Sequence, residues 1–119
     1  MELGRFVPAG DGVMDITVIV PTGFNWPHPW ESISADDARR FEFELRAELP
    51  AGHVLETVET VPIARWRPTD DVVFATTDEQ HPVAIVHLTW KGSVEFDPLF
   101  PWTRLYRSLS DALENWPPP

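Results

Sequence analysis

The sequence predicts an α+β fold: an antiparallel sheet of about four to six strands, one helix inserted after the first strand and one C-terminal helix. Three observations carry this. Residues 70–92, DDVVFATTDEQHPVAIVHLTWKG, read as two strands joined by a polar turn, and the rest of the chain is arranged to cover or extend that pair. Serine-capped stretches with helical apolar spacing begin at Ser34 and Ser108, on either side of it. No internal repeat and no break in composition divides the chain, so residues 1–119 are expected to form one domain.

Residues 1–12 are broken by Pro8, Gly10 and Gly12, which fits an edge strand ending in a turn or a loose arm. In 13–20, Met14, Ile16, Val18 and Val20 alternate onto one face and predict a strand, ended by Pro21 and Gly23. Pro27 and Pro29 then forbid regular structure, leaving an extended loop with Phe24, Trp26 and Trp30. Those rings either cap the core or stand out as a binding surface, and burial of large apolar area favours the cap.

Ser34 is placed to accept from the N–H of Asp37, and the helix should run to about Glu48, stopped by Pro50 and Gly52. Ala38, Phe41, Leu45 and Leu49 form its core stripe, while Glu42, Glu44 and Glu48 read as partly a solvated face. Phe43 points away from the stripe, so either the aromatic loop covers it or another molecule does, intramolecular cover being the expectation. Residues 54–67 read as a strand or a bent pair, with Pro62 at an edge or a bulge, Arg65 and Arg67 on one face and Trp66 on the other.

A strand at 72–76 and a turn at 77–81 lead into 83–90, expected to be the longest strand. Its two faces, Ala84, Val86, Leu88 and Trp90 against Val83, Ile85, His87 and Thr89, are both mostly apolar, which marks a strand covered on two sides. Pro98 and Pro101 bracket a second aromatic patch with Phe100 and Trp102, followed by a short strand at 103–107. Ser108 opens the last helix, with Leu109, Ala112, Leu113 and Trp116 on one side, and residues 117–119 form a stiff proline tail.

Asp70–Asp71–Val72–Val73–Phe74–Ala75, the strand Val83 to Trp90, the Pro-Trp patch and the closing Ser-Leu-Ser-Asp helix together resemble a small bacterial family of uncharacterised proteins marked by a V-H-L-T-W strand. The likeness spans roughly residues 45 to 116, and the strand motif is its only specific part. Where that family usually continues W-S-G-K, this chain has Trp90-Lys91-Gly92-Ser93, which puts any role of the lysine in doubt. The resemblance implies a shared fold and no activity.

Composition removes several functions. Without cysteine there is no disulfide, thiolate nucleophile or Cys-bound zinc. Nineteen acidic against nine basic residues, a net charge of −10, disfavour nucleic acid and anionic lipid and would steer in a basic protein. No apolar run approaches a signal peptide or a membrane span, so a cytoplasmic location is expected. His28, His53, His81 and His87 form no ligand motif, so no metal and no cofactor are implied, and neither a nucleophile elbow nor a phosphate-binding glycine loop is present.

His87 stands apart because a mid-strand imidazole on an apolar strand needs partners. A core histidine satisfied by Thr89, Asp70 or Asp71 is the first expectation, and a general base or ligand the second. The leading functional reading is a non-enzymatic acidic interaction protein, of inhibitor or immunity type, gripping a basic partner through the aromatic loops at Trp26, Trp30 and Trp102. Its competitor is a small ligand-binding protein or enzyme with a pocket lined by Arg65, Trp66, His87 and Trp90, near Asp70, Asp71 and Thr89. A homodimer through Phe43 or a sheet edge is the third.

Overall fold

The structure, a computed structural model, describes residues 6–9, 12–16 and 19–118. Within these residues the chain forms β1 (Phe6–Ala9), β2 (Gly12–Asp15), β3 (Trp30–Glu31), α1 (Ala35–Glu48), β4 (Thr60–Trp66), β5 (Asp71–Thr76), β6 (Val83–His87), β7 (Trp102–Tyr106) and α2 (Leu109–Asn115). β3 to β7 make a five-stranded antiparallel sheet in sequence order, and β1 pairs with β2 as a separate hairpin. The expected α+β class and the placement of both helices hold.

Alternation of side chains across the strands gives this sheet two dry faces. Val72, Phe74, Ala84, Val86 and Leu88 meet Phe41 and Leu45 of α1 on one side. Val73, Ala75, Val83 and Ile85 meet Leu109, Ala112 and Trp116, together with Met14, Ile16 and Val20, on the other. A strand buried on both faces has no room for polar alternation, which is why β5 and β6 read as nearly continuous apolar runs. Each buried Leu or Phe contributes about 1.5–3 kcal/mol of transfer free energy, so α1 is held chiefly by Phe41 and Leu45. Its start is fixed locally, with the Ser34 hydroxyl accepting from Asp37 N–H at 3.0 Å; Ser108 caps α2 the same way through Asp111 N–H.

Four expectations need correction. The strand expected at 13–20 pairs only over 12–15 and belongs to the hairpin. Its chain turns at Ile16, whose carbonyl accepts from Ile19 and Val20, while Thr17 and Val18 lie outside the described residues, as do 1–5, 10, 11 and the tail residue 119. The strand expected from 54 begins only at Thr60; the register shift between Pro62 and Ala64 supplies the bulge that lets a proline sit in an interior strand. β6 stops at His87 and is shorter than β4, for a reason given below. Phe43 is 78% exposed, because the aromatic loop packs Phe24 and Trp26 against the α2-side core rather than over α1.

Candidate functional site

The strand registers align five residues in one row across the end of the sheet. Trp30 is opposite Trp66, Trp66 opposite Asp71, and His87 opposite Trp102. Since Val72 pairs with Val86, the next position outward sets Asp71 beside His87. Parity places the row on the α2 side, and the outer tryptophans are each backed by a buried one: Trp66 by Trp30 at 4.8 Å and Trp102 by Trp116 at 5.7 Å between ring centroids.

Between the tryptophans lies a directed polar chain. The Thr69 hydroxyl donates to Asp71 Oδ2 at 2.5 Å, and His87 Nδ1 lies 2.6 Å from Asp71 Oδ1. Asp71 is buried and acceptor-only, so the neutral imidazole places its proton on Nδ1 and its lone pair on Nε2. The His87 side chain is 56% exposed, at the edge of the core rather than inside it. An oriented imidazole with a free nitrogen is competent as a hydrogen-bond acceptor or general base. Two concavities of about 560 and 550 Å³ lie elsewhere, one under Trp26 and Trp30 and the other between α1 and β4, and His87 lines neither. Among the described residues no group of His, Asp and Glu converges to hold a metal ion.

The pocket expected from Arg65, Trp66, His87 and Trp90 is divided by the sheet. Arg65 is opposite Val72 and therefore on the α1 side, bonded to Glu31 at 2.8 Å, while Trp66 and His87 face the α2 side. Asp70 occupies the tight turn before β5 at φ 56° and lies 4.0 Å from Arg65. Trp90 lies against the Phe41 ring at 5.7 Å with the Arg40 guanidinium over it, again on the α1 side. Thr89 is beyond the end of β6 and donates to Glu95, so it shares no face with His87. Trp26 is half-buried against Phe24 and Trp30 is core, which makes that loop mainly a cap, as expected.

The residues that sequence reasoning missed hold the long loop 88–101, which leaves the sheet at His87 and returns at Trp102. Glu48 is fully buried, and its two carboxylate oxygens accept from the N–H groups of Thr89 and Trp90 at 2.9 and 2.8 Å. Glu44, one turn earlier, accepts from Gly92 N–H at 3.0 Å. These acceptors take the amides that would have extended β6, and Trp90 turns the chain with φ 62°, so the strand ends three residues early. Burial, and then the neighbouring Glu44, push the Glu48 carboxyl up to about 6. The pair is thus part of the interior, not the partly solvated face expected for it. Its signal was present: Phe41, Glu44, Leu45 and Glu48 follow the one-, four-, five-, eight-fold spacing of a buried stripe.

Beyond this clamp the loop is anchored at its far end by His53, whose Nε2 lies 2.8 Å from the Pro101 carbonyl. Between the anchors Trp90, Val94, Phe96, Leu99 and Phe100 all reach solvent, Phe96 at 99% exposure.

No family model, curated protein or solved structure matches this chain. The functional reading therefore rests on the geometry of the loop and of the Asp71–His87 pair. Among the described residues no helix is long and apolar enough to cross a membrane.

Proposed function

We propose that this protein is a non-enzymatic acidic interaction protein of inhibitor or immunity type, acting in the cytoplasm, that docks a basic partner protein through the 88–101 loop. One observation carries the reading: five large apolar side chains are presented to solvent on a loop whose backbone is fixed by buried carboxylates. Exposed apolar side chains on a pre-ordered segment suit a protein interface, because little conformational freedom remains to be lost on docking. The net charge of −10 supplies long-range attraction for a basic partner and lets salt weaken it.

Affinity capture from the host lysate tests this, comparing the wild type with a Phe96→Ser/Leu99→Ser variant across a salt series. A basic protein held at low salt, released as salt rises and missing from the variant is the expected result. Recovery of no basic protein, or of the same proteins by both baits, overturns it. Kinship with the V-H-L-T-W proteins belongs to this proposal and adds no activity to it.

A second reading, small-ligand binding or acid–base chemistry at His87, is favoured by the 2.6 Å contact to buried Asp71. Imidazole ¹⁵N shifts of His87 recorded against a fragment library check it; a library that moves no His87 signal rules the site out. Exposed Phe43 and the edge strand β7 support the homodimer as a third, which a monomeric mass by light scattering would end.

A further inference from the structure

The loop's attachment differs from an ordinary set of turn hydrogen bonds. Two carboxyl groups from successive turns of α1 enter the α1-side core and hold the amides of residues 89, 90 and 92. Both Glu44 and Glu48 are buried, on the helix stripe that carries Phe41 and Leu45 into the core. The other charged or titratable groups of the surrounding elements are committed elsewhere. On α1, Asp37 pairs with Arg40, Arg40 lies over the Phe41 and Trp90 rings, and Arg46 pairs with Glu42. On the loop, Lys91 pairs with Glu95, and from the segment after α1, His53 bonds Pro101. Among the described residues no cation forms an ion pair with Glu44 or Glu48. Two adjacent buried carboxylates without a counter-ion cannot both ionise at little cost.

We propose that Glu44 and Glu48 are a proton-controlled latch on the 88–101 loop, which opens more often when both carboxyls ionise than while the pair retains one proton. In the held state the shared proton removes the repulsion, and carboxyl oxygens still face the three amides. When the proton leaves to solvent, two negative charges face each other in the core. Swinging the carboxylates and the loop out into water relieves them. As a control on docking this rests on the reading given above, because a released loop must be ordered again before it can grip a partner, so docking is favoured on the acid side. As a property of the loop it stands without any partner.

The direction follows from linkage. The latched pair binds its proton more tightly than a solvated carboxyl does, so the latched state gains as pH falls through about 6 and loses as pH rises. A rise from 4.5 to about 6 corresponds to a change in the opening constant of up to about 30-fold.

Lys91 is the only lysine of the chain and lies between Trp90 and Gly92, whose amides the pair holds. A lysine-specific protease therefore reads latch opening at one bond. We would measure the cleavage rate of the folded protein relative to a synthetic peptide spanning residues 86–97, from pH 5 to pH 8. Over this range the ratio is expected to rise by about 8-fold, the part of the full change that lies above pH 5, with a midpoint near 6, and to lose this pH dependence in Glu48→Gln. Amide exchange of Thr89, Trp90 and Gly92 in the wild type, corrected for intrinsic rates, should follow the same midpoint without any substitution. A flat wild-type ratio, or an unchanged rise in a folded Glu48→Gln or Glu44→Gln variant, overturns the latch. A working latch in a protein that captures no partner supports this inference and counts only against the docking reading.

Discussion

Arg46 shows how much one side chain can join. Its guanidinium reaches Glu42, the carbonyls of Leu55 and Val58 and the hydroxyl of Thr60, tying α1 to the irregular segment that precedes β4. A planar fork does this and a point charge does not. Arg46→Met keeps the apolar stem but leaves partly buried carbonyls without donors. It should cost about 2 kcal/mol in urea denaturation, with Arg46→Lys recovering only part of it. His87 tests the opposite case. Truncation to alanine should cost about 1 kcal/mol, since the ring is half in water but buried Asp71 loses one of its hydrogen-bond partners. A loss above about 2 kcal/mol would return it to the role of a core histidine. The face of His87 was legible from alternation, and its partner Asp71 only as one of three, beside Asp70 and Thr89. Its exposure was not, because that depends on where the ladder stops, and the stop is set by Glu48 from another element.

The same division holds at the level of elements. Both helices were readable because their signals are local: a serine cap, an acidic first turn, and apolar residues repeating at helical spacing. The turns expected at 68–71 and 77–81 were readable for the same reason, although Asp71 already opens β5. What the local pattern could not supply was the late start of β4, the early end of β6 and the detachment of the β1–β2 hairpin from the main sheet. The early end of β6 is decided by a contact between distant segments, Glu48 with Trp90 across 42 positions. Substitutions in α1 and in the loop should therefore separate folding from docking. Leu45→Ala opens a cavity in the α1-side core and should cost about 2–5 kcal/mol by denaturant titration. Phe96→Ser with Leu99→Ser removes only exposed apolar surface. The same titration should find its stability within about 0.5 kcal/mol of wild type, while any partner affinity falls. A large stability loss in that loop variant would show that the loop belongs to the core.

For the molecule as a whole, two buried titrating groups pull stability in opposite directions over one pH window. His53 is held neutral: Nδ1 accepts from Leu55 N–H, so Nε2 carries the proton and donates to Pro101, and burial lowers its readiness to take a second proton. The unfolded chain still binds that proton at its ordinary value of 6.5, so His53 makes stability fall as pH drops below 6.5. Glu48 does the reverse. The native state keeps its proton up to about 6 whereas the unfolded chain gives it up near 4.5, so stability rises as pH drops from 6 to 4.5, by on the order of 2 kcal/mol. Glu31, held down by Arg65 and then Arg67, and Glu95, held down by Lys91 and then Thr89, favour stability above the ordinary carboxylate value and withdraw it as pH falls below about 4.5. The wild-type profile from pH 4.5 to 6.5 should accordingly be the difference of two opposed titrations. Denaturant midpoints across that range should acquire a clear positive slope in Glu48→Gln, where His53 acts alone, and a negative slope in His53→Gln, where Glu48 acts alone. Parallel profiles in all three proteins would show that neither group titrates differently on folding, and would remove the energetic basis of the latch with it.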